Sequence, residues 1–203
     1  MLSIIVFCSL LILSYLLGCF STAKLITKSY KNMNVYKVGS GYPDTQNIFT
    51  NVDKTLGIFI GIVDFGKMFF YMILLDFLLN YPPIINIIGN IGSNNNLFII
   101  GFFMVIGHCL PVTHHFKGGR GLFTYIGFIL FFAPFPMLII LVLAVIPVVV
   151  FKQLRFAQYM VVLLPPFINF FFERDPEVLA KMFIAAILMG IINFIVSKKL
   201  GEI

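Results

Sequence analysis

Lys117-Gly118-Gly119-Arg120-Gly121 is the run of residues best suited to hold an anion, because it places two cations around three glycines directly before an apolar segment. A glycine turn that opens a helix leaves backbone N–H groups unpaired at the positive end of the helix, and flanking full charges complete a phosphate cradle. The spacing is not that of a P-loop, which requires GxxxxGK[ST]. A tight turn with membrane-anchoring charges would account for Lys117 and Arg120, but not for glycine at three of the next four positions. Upstream, His108, His114 and His115 fall within eight residues. His114 and His115 are adjacent and no acidic residue is near them in sequence, so no metal site is expected. His108 is available as a base; as a plain helix-end residue it would simply be hydrogen-bonded.

Two further stretches stand out. Lys37-Val38-Gly39-Ser40-Gly41-Tyr42-Pro43-Asp44-Thr45-Gln46-Asn47 lies in a long polar connection, 21–55. Gly39 and Gly41 permit close backbone approach, so that amides and the Ser40 hydroxyl can converge on an anion; the alternative is a flexible loop with an ordinary turn at Gly-Tyr-Pro-Asp. Asp64 and Lys67, three residues apart within an apolar run, share one helix face. Ionisable groups inside a span face a partner or a polar cavity, which makes this pair either a cleft wall or a structural ion pair.

The elements that must position these residues are membrane helices. At 203 residues, 60% hydrophobic, 11% charged and mean hydropathy +1.03, the chain cannot cover itself with a polar skin. A soluble enzyme, a disulfide-stapled secreted module, a disordered chain and an outer-membrane barrel are excluded. One membrane domain over 1–203 is expected. Cys8, Cys19 and Cys109 lack CxxC spacing and suggest neither zinc nor a disulfide framework. Leu16-Leu17-Gly18-Cys19 superficially resembles a lipoprotein cleavage box, yet a non-cleaved first span is the simpler reading.

Apolar runs and turn signals predict an all-α polytopic protein of about seven spans, at 2–20, 56–79, 97–112, 120–133, 135–151, 156–172 and 178–197. Ala133-Pro134-Phe135-Pro136 separates the fourth from the fifth, since a single helix would carry both prolines near its middle. With alternating connections, one side receives Lys24, Lys28, Lys31, Lys37, Lys54, Lys117, Arg120, Lys152, Arg155, Lys198 and Lys199, eleven of the fourteen basic residues, and the other only Arg174. This places the N-terminus outside and the C-terminus in the cytoplasm. The net charge of +6 is read as orientation and contact with anionic lipid or phosphate, not nucleic acid.

Gly107-His108-Cys109-Leu110-Pro111-Val112, then Phe116-Lys117-Gly118-Gly119-Arg120-Gly121 and Thr124, resembles the GHxFPxxxxFKGGKGxAT segment of the bacterial acyl-phosphate-dependent glycerol-3-phosphate acyltransferases of the PlsY type, with Arg120 at the second Lys. Lys37-Val38-Gly39-Ser40-Gly41 is similar to the start of that family's RxxGSGNxGATN segment, Asp64 with Lys67 to its intramembrane DxxK, and Lys28 to a Lys after the first span. The sequence departs from the family at several positions. NxGATN becomes Tyr42-Pro43-Asp44-Thr45-Gln46-Asn47, Tyr36 replaces an Arg, Cys19 and Gln158 replace Ser, and the C-terminal segment with His, Asn and Glu is absent.

The resemblance implies transfer of a fatty acyl group from acyl-phosphate to the 1-hydroxyl of glycerol-3-phosphate, giving lysophosphatidic acid at the cytoplasmic face of the bacterial plasma membrane, with no cofactor or metal. It implies catalytic roles for Ser40, His108, Lys117 and Arg120. It implies substrate or phosphate binding by Lys28, Lys37, Gly39, Gly41, Asn47, Asp64, Lys67, Gly118, Gly119, Gly121 and Thr124. Rival readings are a non-catalytic relative that binds a phospholipid precursor or regulates an active paralogue, the same chemistry on another acceptor, and a small anion carrier.

Overall fold

The computed structural model describes residues 1–172 and 176–199, so Arg174 and the chain end after Lys199 lie outside the described residues. Among the described residues the regular structure is all helical, with no strand. In order come α1 (Leu2–Gly18), α2 (Thr22–Lys31), α3 (Thr45–Asn51), α4 (Lys54–Leu79), α5 (Pro82–Ile88), α6 (Asn94–Cys109), α7 (Leu122–Phe132), α8 (Pro134–Val149), α9 (Leu154–Leu163), α10 (Pro165–Asn169) and α11 (Pro176–Lys199), with 3₁₀ turns at Val35–Lys37 and Val112–His114.

Each expected span contains helix. Among the described residues, four helical segments are long and apolar enough to cross a membrane: Leu2–Lys31, Lys54–Leu79, Asn94–His114 and Pro176–Lys198. At a rise of about 1.5 Å per residue, the 26 residues of α4 exceed a hydrocarbon core of about 30 Å, whereas the 11 of α7 reach about half-way. The proline turn does end α7 and open α8, with proline in the first turn where no N–H is required. Two expectations need correction. The segment 156–172 is not one helix: Pro165-Pro166 cannot donate to the preceding turn, so α9 stops at Leu163 and α10 starts afresh. Nor is 21–55 a plain loop, since α2 and α3 occupy much of it.

Buried α6 lies between α1, α7 and α11. Its crossing with α1 is a glycine contact: a β-carbon on Gly18 would run into the Met104 carbonyl, and one on Gly107 into the Tyr15 carbonyl. The Tyr15 hydroxyl then donates to the Leu110 carbonyl at 2.8 Å and accepts from Val112 N–H at 3.1 Å, pinning the end of α6 to α1. Helix α4 packs on α3 and α7, and α8 on α9. Phe98 meets Phe128 and Phe132 at centroid distances of 4.7 and 5.0 Å within the core. Outward positions such as Phe70, Phe77, Phe135 and Val142 are also apolar and exposed, a pattern suited to lipid rather than water.

Asp53 caps α4 by accepting from Leu56 N–H at 3.0 Å and pairs with Lys31 at 3.1 Å, tying the end of α2 to the start of α4. The Leu56 amide, then Lys31, hold its carboxyl below the ordinary 3.8. A carboxyl with a lowered folded pKa contributes stability that is complete above the unfolded value and is lost as pH falls through the folded one. Acid titration followed by thermal unfolding in detergent should therefore show a loss below about pH 4. Asp53→Asn, which keeps a good cap without the charge, should flatten that part of the profile.

Candidate functional site

Helix α3 builds the first side of the site. Its N-cap is Asp44, whose carboxylate accepts from Asn47 N–H at 2.7 Å. Asn47 organises the loop before it: its side-chain amide donates to the carbonyls of Val38 (3.0 Å) and Tyr42 (2.8 Å), and its oxygen accepts from Ser40 N–H (3.1 Å) and the Asn51 amide (2.9 Å). Gly39 and Gly41 take left-handed φ of 54° and 70° to close this loop, and Ser40 Oγ accepts from Tyr42 N–H at 3.4 Å. Asn47→Asp would leave two carbonyls without donors. The expected cost is about 2–4 kcal/mol, from roughly 1–2 kcal/mol for each lost partner, read as a lower apparent melting temperature, with protease cleavage appearing in 38–44.

The second side is the return from α6 to α7. After the 3₁₀ turn, His115 and Phe116 adopt left-handed φ of 53° and 58°, and the chain doubles back so that Gly119 N–H donates to the His108 carbonyl at 3.1 Å. Gly118 and Gly119 lie flat on His108: β-carbons there would run into its carbonyl and approach its Nε2. Gly121, at φ 72°, turns the chain into α7, whose first turn has no side-chain cap. The glycines thus serve a tight chain reversal while leaving the first amides of α7 without a side-chain acceptor.

Between the two sides lie the charges. Asp64, on α4, pairs with Lys67 at 3.0 Å and lies 4.0 Å from His108 Nδ1. Lys67 Nζ also donates to His108 Nδ1 and the Phe20 carbonyl, both at 3.2 Å. This assigns the His108 ring proton to Nε2, the nitrogen facing Gly119. Arg120 is buried, with Nε 3.4 Å from the Asp44 carboxylate. Gln158 on α9 donates to Gln46 on α3 at 3.1 Å.

These groups surround a cavity of about 300 Å³. Asp44, Gln46, Asp64, His108, Arg120 and Gln158 form its polar side, and Phe49, Ile58, Ile62, Leu122, Phe123 and Leu154 its apolar side. Of the residues selected from sequence, Asp64, His108, Arg120 and Gly121 line it, with Lys67, Gly118 and Gly119 directly behind. Lys117 is exposed and sits 5.5 Å over the Tyr42 ring; Lys37 is also exposed, Thr124 is fully buried, and Lys28 lines a separate cavity. Ser40, Gly39, Gly41 and Asn47 form the loop that supports α3. Sequence reasoning did not select Asp44 and Gln46, although Asp44 three residues before Asn47 is a readable helix-cap signal.

A family model described as glycerol-3-phosphate acyltransferase matches residues 8–200. The chain belongs to the glycerol-3-phosphate acyltransferase family. Among its relatives, the glycerol-3-phosphate acyltransferase 2 of Lactobacillus acidophilus is 32% identical over 124 residues, covering 61% of this chain and 54% of that protein. The Streptococcus agalactiae glycerol-3-phosphate acyltransferase is 37% identical over 134 residues, covering 66% and 59%. The chain thus spans little more than half the length of the curated relatives it matches. The crystal structure of PlsY (YgiH), an integral membrane glycerol 3-phosphate acyltransferase in its glycerol 3-phosphate form, superposes with a TM-score of 0.76 at 24% identity over 95% of this chain and 88% of that one. The lysphosphatidic acid form of PlsY gives 0.74 at 22% identity, over 97% and 93%. At these identities the superpositions show that the acyltransferase-family chain has the PlsY fold.

Proposed function

We propose that this chain transfers a fatty acyl group from acyl-phosphate to glycerol-3-phosphate, as a seven-span protein of the bacterial cytoplasmic membrane with its N-terminus outside. The observation that carries the reading is the cavity itself, where buried Arg120 and the uncapped first turn of α7 face one space with an apolar wall. That combination suits a phosphate on the end of a hydrocarbon chain. The acceptor hydroxyl oxygen attacks the acyl carbonyl carbon, the bond from that carbon to the phosphate oxygen breaks, and the hydroxyl proton leaves with the phosphate. Acyl-phosphate is an activated donor, so positioning and oxyanion stabilisation suffice without a nucleophile on the protein.

The test is transfer from palmitoyl-phosphate to labelled glycerol-3-phosphate by the purified protein in detergent. Turnover that falls in both Lys117→Ala and Arg120→Ala supports the reaction. A Ser40→Ala variant that matches the parent would remove the first loop from the mechanism. No turnover with retained binding of acyl-phosphate would support a different acceptor or a non-catalytic role.

A further inference from the structure

A second cavity, of about 450 Å³, lies where α1 gives way to α2. It has two halves. Leu16, Phe20 and Leu25 are apolar and exposed, continuing the outward face of α1. Lys24, Lys28 and His114 make the other half. Lys24 and Lys28 are one turn apart on α2 and project to the same side, and neither pairs with a carboxylate among the described residues. Lys24 Nζ donates to His114 Nε2 at 2.5 Å, which leaves the His114 ring proton on Nδ1 to donate to Thr113 Oγ1 at 2.7 Å. The imidazole is further fixed by stacking on Tyr36, with centroids 5.6 Å apart and planes at 21°.

Two like charges held one turn apart repel each other on a bare helix. Here they are backed by an imidazole in a fixed orientation and bordered by an apolar strip, so the charge balance of the cavity is completed by an anion. Lysine ammoniums bind phosphate as point charges, and the apolar strip matches a chain attached to it. We propose that this cavity binds a phosphate group through Lys24 and Lys28, with His114 holding Lys24 in place and Leu16, Phe20 and Leu25 seating an attached apolar chain when there is one. The cavity shares no lining residue with the one that holds Arg120. It meets the Gly39-Ser40-Gly41 loop through Tyr36, whose carbonyl packs beside Gly41.

The phosphate can belong to a lipid headgroup or be free in solution, and one experiment separates the two without recourse to acyl transfer. The full chain is reconstituted in phosphatidylcholine nanodiscs with or without phosphatidic acid, and bound phosphatidic acid is quantified with and without inorganic phosphate as competitor. Lys24→Gln with Lys28→Gln should weaken binding by at least about tenfold, the effect of losing two charge-assisted contacts. Lys24→Arg with Lys28→Arg should restore it. Competition by inorganic phosphate would make free phosphate a ligand; binding that persists against it would make the lipid headgroup the ligand. His114→Phe, which keeps the stack on Tyr36 and removes both ring nitrogens, gives an independent several-fold loss should the double glutamine variant fail to fold. Phosphatidic acid binding that is unchanged in these variants belongs elsewhere on the protein and overturns the proposal, as does a parent chain that binds neither ligand.

Discussion

Arg120→Gln is expected to lower acyl transfer by roughly 10²–10³-fold, the usual loss when a group that stabilises developing negative charge is removed. It should also destabilise the fold by about 3–5 kcal/mol, because Asp44 is only 5% exposed and loses the cation 3.4 Å away. The two effects separate in a double-mutant cycle. Asp44→Asn alone keeps an effective cap on α3 and removes the carboxylate beside Arg120. It should also lower stability, because the buried guanidinium loses its carboxylate, while tightening acyl-phosphate binding, since the guanidinium no longer shares its charge. Asp44→Asn with Arg120→Gln should recover most of the lost melting temperature while turnover stays low. Kinetics with palmitoyl-phosphate and thermal unfolding, run on all four proteins, are the measurement. If the double variant recovers turnover along with stability, Arg120 is a structural residue and the site lies with other groups.

Gly107→Ala should act chiefly on folding. Its β-carbon would be driven into the Tyr15 backbone carbonyl, and a backbone atom cannot move aside as a side-chain tip can. Helices α1 and α6 would have to separate, breaking the hydrogen bonds that Tyr15 makes to Leu110 and Val112. Close backbone approach through small residues is a principal source of helix association in membranes, where no hydrophobic effect drives helices together. We expect a loss of about 3 kcal/mol or more, at the upper end for an overpacked core position, seen as aggregation in detergent or a sharply lower melting temperature. Gly66→Ala is the internal comparison. Its β-carbon meets only the Phe70 ring at 3.8 Å, so it should unfold like the parent.

Much of this architecture was legible because hydropathy and proline carry it directly. Ala133-Pro134-Phe135-Pro136 marked a helix boundary since two prolines cannot sit in mid-helix. Pro165-Pro166 breaks a helix for the same reason, but it lies inside a continuously apolar run, and a hydropathy reading passes over a backbone break that changes no polarity. Helices α2 and α3 are short and polar, so a search for long apolar runs passes over them, although α2 is amphipathic and buries Ala23 and Ile26. The Asp64–Lys67 pair was readable from its spacing along one helix. The pairings of Asp44 with Arg120 and of Gln46 with Gln158 were not, because they arise only when α3 is laid against the start of α7 and α9. Charge counting likewise put Lys28 and Lys117 on one side of the membrane without saying which cavity, if any, each would reach.

Phe49, Ile58 and Ile62 line the main cavity yet remain 40%, 55% and 60% exposed on the outer surface. The chamber is therefore open sideways, past the exposed apolar side chains that α3 and α4 contribute to its wall. An amphiphile that enters or leaves there never has to pass through bulk water. Under the proposed reaction, the effective substrate concentration is its mole fraction in the surrounding leaflet. Rates should accordingly follow surface dilution by inert lipid or detergent at constant total donor, and the product is delivered into the same lateral phase from which the donor came.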